Sequence, residues 1–457
     1  MEKQLPKNWV ESKLGNLVVI ERGGSPRPIE NYLTDSEDGI NWIKISDATA
    51  SDKYIYKTKQ KIKPEGLYKT RYVKEGDFLL SNSMSFGRPY IMKTDGCIHD
   101  GWLALKEGKI KIFNTEFLYY LLSSSFVFNQ FDSLASGSTV RNLNKELVSS
   151  VIVKIPPLAE QNRIVAKLDT LFARLETIKT SMANIPLLLK DFRQQVLTQA
   201  VTGKLTEEWR KGKELDKLTL IELSHFCKDS FYGPRFSKDD YTDEGFPTVR
   251  TTDMSDDGKI ILSDNIPRIK IDDPKKIELY KVKKGDLLIT RTGSIGKMAR
   301  YFEEEIVIPS AYLIRFRFNE LAITDYIYYC LISPYGQNQM GLNSVAVTQP
   351  NLNAQKIKTI KIPKIKIEEQ QEIVSRVESL FAKADTIEEQ YKSLKVKIDT
   401  LPQALLHKAF KGELTEQLGS DGDARELLKQ IQELKEQTSQ VVKKKSKKNN
   451  EVQGILG

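Results

Sequence analysis

The sequence predicts an α+β protein with a pseudo-two-fold internal repeat: two tandem mixed α/β domains separated by two long antiparallel coiled-coil helical regions. Three observations predict it. First, Leu171-Phe172-Ala173 returns as Leu380-Phe381-Ala382, a step of 209 residues, and the same step carries Gly76-Asp77 to Gly285-Asp286. It also carries Glu160-Gln161 to Glu369-Gln370 and Asn142-Leu143-Asn144 to Asn351-Leu352-Asn353. That period is too long for a solenoid repeat and long enough for a unit with its own core. Second, each copy begins with short Val/Ile/Tyr/Phe runs broken by Gly, Asp, Asn and Pro, the pattern of strands and turns. Third, each copy ends in a sustained heptad of apolar residues.

In chain order, residues 1–155 form the first mixed domain, with Asp77-Phe78-Leu79-Leu80-Ser81 as a strand entered from a Gly-Asp turn. An amphipathic helix is expected over Phe117–Leu122. After Ile155-Pro156 the pattern changes, and 156–209 is a helical spacer with Ile164, Leu168, Leu171, Leu175 and Ile178 on one seam. Residues 210–363 repeat the mixed domain, with a strand at Asp286–Thr290 and a helix at Tyr326–Leu331. Residues 364–416 repeat the spacer, with Ile373, Val377, Leu380, Ala384 and Ile387 on the seam, and 417–457 form a terminal helix and basic tail. Pro186 and Pro402 are expected to break the spacer helices, and Gly203 and Gly412 to close them. The narrow stripe suits one partner helix, and the other copy is the economical partner. Ile164 to Ile185 spans about 32 Å as a helix, close to the roughly 34 Å of one B-DNA turn.

Composition narrows the function. With 40% hydrophobic and 29% charged residues, the chain reads as an ordinary cytoplasmic protein without a membrane span or secretory leader. Cys97, Cys227 and Cys330 lie too far apart for CxxC chemistry, and His99, His225 and His407 are isolated, so no metal site is expected. Lys443-Lys444-Lys445-Ser446-Lys447-Lys448 supplies five of the nine net positive charges, a run that reads as a solvated tail or a salt-sensitive phosphate contact. Gly293-Ser294-Ile295-Gly296-Lys297 lacks Walker A spacing, and Ile155-Pro156-Pro157-Leu158 lacks the Asn of an amino-methyltransferase tetrapeptide. No catalytic residue is expected, so the chain binds and positions rather than reacts.

The helical motifs resemble one family across essentially the whole chain. They are Ile155-Pro156-Pro157-Leu158-Ala159-Glu160-Gln161, Leu168-Asp169-Thr170-Leu171-Phe172-Ala173, Phe192-Arg193-Gln194-Gln195-Val196-Leu197 and Gly203-Lys204-Leu205-Thr206, with Ala409-Phe410-Lys411-Gly412-Glu413-Leu414-Thr415 in the second copy. The chain resembles the specificity (S) subunit of type I restriction–modification enzymes, of the type IA kind. The resemblance implies two target recognition domains, each reading half of a split double-stranded DNA target. It also implies two modification (methyltransferase) subunits docked on the helical regions, and restriction/translocase subunits beyond them. S-adenosylmethionine, ATP and Mg would then belong to those partners, with no cofactor in this chain. The alternatives are a coiled-coil scaffold that binds proteins only and a fused methyltransferase or nuclease whose active site is unrecognised.

Matched positions supply the candidate DNA contacts, since Arg, Lys, Asn, Ser and Thr on loops clamp phosphates or read base edges. Ser81, Asn82, Ser83, Ser85 and Arg88 follow the first Gly-Asp strand; Thr290, Arg291, Thr292, Ser294 and Lys297 follow the second. Lys44 and Ser46 match Arg250 and Thr252. Arg22 and Arg27, beside Gly23-Gly24, match Tyr232 and Arg235, beside Gly233, and Arg141 precedes Asn142-Leu143-Asn144. For each, the competing reading is a solvated turn, and for Asn142 or Asn144 a helix cap. Tyr119, Tyr120, Tyr328 and Tyr329 lie in a helical apolar stripe and read as core rather than a base-stacking platform.

Overall fold

The computed structural model describes residues 5–48, 51–82, 85–135, 142–215, 217–292, 294–342 and 352–437. They fall into two compact units, one combining Met1–Thr180 with Leu394–Gly457, the other comprising Ser181–Ser393. Neither unit is a linear repeat: each takes a segment from the end of the opposite copy.

In the first unit a five-stranded sheet runs in the order Val18–Arg22, Trp102–Glu107, Phe78–Ser81, Pro89–Met92, Tyr54–Ile55. A second runs Leu33–Thr34, Gln60–Ile62, Ile40–Ile43, Gly96–Ile98, Arg71–Val73. The second unit repeats the first sheet with four strands, Cys227–Tyr232, Leu313–Phe318, Leu287–Thr290 and Met298–Arg300. The turn entering the Phe78 strand explains why Gly-Asp repeats. Gly76 and its counterpart Gly285 both have φ +87°, where a side chain is strained, and the following Asp accepts a backbone N–H at 2.9 Å (Lys74) or 3.0 Å (Lys283). An antiparallel two-stranded ribbon closes each unit, Val10–Lys13 on Ile152–Ile155 and Thr219–Glu222 on Lys361–Lys364.

The expected helices form at Thr115–Leu122, capped by Asn114, and Thr324–Ile332. Tyr120, Tyr328 and Tyr329 are buried and Tyr119 is half-buried, as core residues. Tyr120 packs on Phe172 and Tyr329 on Phe381, with ring centroids 5.5 and 6.0 Å apart, so the repeated Leu-Phe-Ala places the same aromatic pair in both units.

The spacer of the first copy is two helices, Leu158–Ala183 and Ile185–Thr202, separated just before Pro186, and Gly203 closes the second at φ +76°. The second copy differs from expectation: Ile367–Phe410 is one helix of 44 residues that runs through Pro402. Proline removes one backbone donor and crowds the preceding turn. The following residue, Gln403, is held by its amide against Ser123 O and Ser125 N, which fixes the downstream turns despite the lost bond.

The seam also divides differently from a simple two-helix stripe. Ile164 and Leu168 lie in the first unit's globular core together with Leu406, Ala409 and Phe410, while Ile373 and Val377 lie in the second unit's core with Val196 and Leu197. Leu175 and Ala384 are buried and Leu171 and Leu380 half-buried, yet Ile178 and Ile387 are 46% and 49% exposed. Within the second unit the helices run antiparallel. Arg193 reaches Asp385 and Glu388 at 2.6 and 3.0 Å, while Thr206, thirteen residues later, reaches back to Glu369.

The repeated Glu-Gln pair carries the exchange of segments. Glu160 is fully buried and accepts from Trp9 Nε1 at 2.9 Å and the Thr415 hydroxyl at 3.3 Å. Glu369, equally buried, accepts from the Thr206 hydroxyl at 2.7 Å and from Arg210 at 2.6 and 2.7 Å. Gln161 and Gln370 tie down the loop before the domain helix, accepting from Asn114 N and Ile323 N, each at 2.8 Å. The Gly-x-Leu-Thr end of each copy thus docks on the Glu of the opposite copy.

Candidate nucleic-acid interface

Two matched hairpins present the candidate contacts. In the first, Ser81 donates its hydroxyl to Ser85 O and accepts from Arg88 N at 3.0 Å, and Gly87 turns the loop at φ +70°. In the second, Thr290 donates to Ser294 O and accepts from Lys297 N at 3.0 Å, with Gly296 at φ +81°. Ser81 and Thr290 are fully buried, so their hydroxyls hold the loop and do not face solvent. Ser85 is half-buried and Ser294 exposed.

Each hairpin ends in a cation whose carboxylate partner stands in solvent. Arg88 Nη2 is 2.6 Å from Asp52, which is 97% exposed, and Lys297 Nζ is 2.9 Å from fully exposed Asp256. Exposed pairs of this kind are worth at most about 1 kcal/mol, so a phosphate can take the carboxylate's place. At the next matched position, Asn82 is buried and donates its amide to Asp100 O at 2.8 Å, whereas Arg291 lies half-buried with its guanidinium 5.2 Å from the Tyr232 ring centroid. Thr292 is exposed beside it. Ser83 and Arg141 lie outside the described residues, and Asn144 caps the helix Lys145–Ser150 as Asn353 caps Ala354–Lys358.

The second matched set is built by a capping aspartate. Asp47 accepts from Lys44 N at 2.8 Å and Asp253 from Arg250 N at 2.7 Å. The Lys44 ammonium turns to Gln60 Oε1 at 2.7 Å, and Arg250 folds back onto Asp253 at 3.2 Å. Ser46 and Thr252 are exposed.

The third set converges on a residue the sequence reading passed over, Asp100. Ser25 donates to its carboxylate at 2.9 Å, Arg27 stands 3.6 Å from it, and Arg22 Nε donates to its carbonyl at 3.3 Å. Burial raises the Asp100 carboxyl, but Ser25 and His99 outweigh it and hold the group below the usual carboxylate range. Burial in turn pushes His99 down. Gly23 permits this crossing: a Cβ there would stand 2.2 Å from His99 O. Gly233 plays the same part against Ser310 O, at 1.9 Å. Tyr232 accepts from Ala354 N at 2.8 Å through its hydroxyl, and Arg235 is exposed. The signal for Asp100 was a polar His-Asp-Gly turn between two strands, but nothing local indicates that three separate segments meet there.

Among the described residues no group of three His, Cys, Asp or Glu is placed to hold a metal, and no helix is long and apolar enough to cross a membrane. The model of the type I restriction modification DNA specificity domain matches the chain twice, over residues 6–186 and 216–396. The chain belongs to this family. As a type I specificity subunit it is similar over nearly its whole length to proteins of known role. The EcoKI specificity subunit of Escherichia coli strain K12 is 30% identical, over 91% of each chain. The EcoBI specificity subunit of Escherichia coli is 30% identical over 90% of this chain and 87% of that protein. The HsdS subunit from Thermoanaerobacter tengcongensis shares the fold, with a TM-score of 0.66 at 19% identity over 90% of this chain and 99% of that one. The duplicated family match and the duplicated hairpin describe the same repeat, once from sequence and once from geometry.

Proposed function

We propose that this specificity subunit reads a bipartite, asymmetric double-stranded DNA target, one half with residues 1–155 and the other with 210–363, and performs no chemistry itself. The observation that carries this reading is the pair of equivalent hairpins, each with an inward hydroxyl that rigidifies the loop and a cation whose carboxylate partner is exposed. Arg88 and Lys297 are phosphate contacts, which set register. Arg291, beside the Tyr232 ring, is a base-reading residue of the second half-site, because a guanidinium can bond a guanine edge with two parallel hydrogen bonds. The two domains share a frame but differ at Asn82 and Arg291, as readers of unequal half-sites must.

The helical regions are the docking surface for two modification subunits, which bring S-adenosylmethionine, and through them for restriction subunits that use ATP and Mg in the cytoplasm. Their exposed apolar residues, Leu187, Leu188, Leu394 and Val396 at 49–65% exposure, support that reading. Exchanging residues 1–155 for the corresponding domain of another specificity subunit, followed by methylome sequencing, tests the proposal. One half of the methylated target should change and the other persist; a change in both halves, or in neither, sinks the modular reading.

A further inference from the structure

The two units also differ in what lies beside the closing ribbon. In the first unit, a helix over 424–437 is bonded to residues on either side of the ribbon strand Val10–Lys13. It is pinned at its start by Ala424 N donating to Asn8 O at 3.1 Å and near its end by Lys435 Nζ donating to Asn16 O at 2.8 Å. Between these pins Ile431 is buried in the core, with Leu427 and Leu428 packed against it. Adding 209 to the pinned residues gives Lys217 and His225. Both line an open cavity of about 480 Å³ in the second unit. The place the terminal helix fills in one unit is, among the described residues, an open groove in the other.

The chemistry of that groove says what fits. Its apolar lining includes Phe226, Leu321, Ile365 and Ile367, and Leu321 and Ile367 are 47% and 38% exposed. Lys217, Lys364 and Lys366 also line it, and none of the three has a carboxylate partner among the described residues. Among the described residues the one carboxylate lining the groove, Glu369, is held by Arg210. At the step of 209, Lys364 and Lys366 correspond to Ile155 and Pro157, so the positive charge belongs to the second unit alone. The helix over 424–437 carries three basic and three acidic residues, and Ile155 and Pro157 stand in its unit where the other unit has the two lysines. A DNA phosphate would satisfy the lysines but leave the apolar lining wet, whereas a helix with an apolar stripe and acidic flanks satisfies both.

We propose that this groove is the docking site for an acidic amphipathic helix of a partner protein subunit, seated on the second unit as 424–437 is seated on the first. The inference rests on the reading that the chain assembles with modification and restriction subunits. The test is photo-crosslinking from p-benzoylphenylalanine placed at Leu321 in the full chain, assembled with those subunits and duplex DNA. A crosslink to a net-negative helical segment of one of those subunits is expected, with a yield that falls at least tenfold in a Lys364→Glu/Lys366→Glu background. A crosslink to DNA, to residues 424–437 of a second copy, or to nothing overturns the proposal. So does a yield indifferent to the charge reversal. The same probe at Ile367, which lines the groove and is 38% exposed, replaces Leu321 should that variant fail to fold. Failure of the unmodified chain to assemble, followed by light scattering, would instead remove the partner reading and the inference with it.

Discussion

If Arg88 and Lys297 hold phosphates, removing them has a signature that distinguishes them from base-reading residues. Each phosphate contact releases counterions and contributes a slope of about −0.9 to log K against log salt. The double variant Arg88→Ala/Lys297→Ala should therefore flatten the slope by about 1.8; between 50 and 200 mM salt, the affinity ratio lost by wild type exceeds that of the variant about 12-fold. The fold should not respond. The partners Asp52 and Asp256 are 97% and fully exposed, and such pairs contribute about 0–1 kcal/mol, so melting should move little. Asp52→Asn and Asp256→Asn should act in the opposite direction, tightening binding, because each removes a charge that competes with phosphate. The assay is equilibrium binding of the assembled complex to target and random duplex across a salt series. Equal weakening on both duplexes with a shallower slope is expected. An unchanged slope, or weakening on the target duplex alone, would refute the assignment of these two cations to the backbone.

Other expectations follow from the same geometry. Glu369→Ala removes the buried carboxylate to which Arg210 and the Thr206 hydroxyl donate, breaking a buried ion pair, and should cost about 3–5 kcal/mol in urea unfolding. Glu160→Ala, which removes only neutral donors' acceptor, should cost about 1–3 kcal/mol; equal losses would contradict the difference in charge. The Asp421 carboxyl is held below its usual range by Arg163, so the native state binds fewer protons than the unfolded chain. That stability is present above the unfolded Asp value and is lost as pH falls through the depressed one. Arg163→Ala should therefore flatten the acid limb of the melting curve against pH, and an unchanged limb would exclude the pair as its cause. Inserting four residues after Leu175 adds about 6 Å of helix and should widen the preferred gap between half-sites by one or two base pairs without altering either half. A folded insertion variant that keeps its original gap, read by methylome sequencing, would show that another element measures the distance.

Sequence alone determined what depends on near neighbours. The step of 209, the Gly-Asp turns, the strand runs and the domain helices are local patterns, and each of them has its element in the structure. The resemblance carried by the Leu-Phe-Ala and Gly-x-Leu-Thr motifs reached the family for the same reason: these residues recur at fixed spacing along one strand of text. Tertiary structure decided everything that depends on who meets whom. Ser81 and Thr290 looked like contacts because hydroxyls after a strand often face outward; folding turned them inward onto the loop that follows. Asp100 became a hub only when segments separated by some seventy-five residues crossed at Gly23, which no periodicity records. Pro402 reads locally as a stop, yet Gln403 and the core around Phe410 hold the helix through it. The deepest decision was the exchange of ends, in which Thr415 finds Glu160 and Thr206 finds Glu369. A repeat can be read from one chain segment compared with another, but which copy buries which end is settled by long-range burial, and burial leaves no mark on either segment by itself.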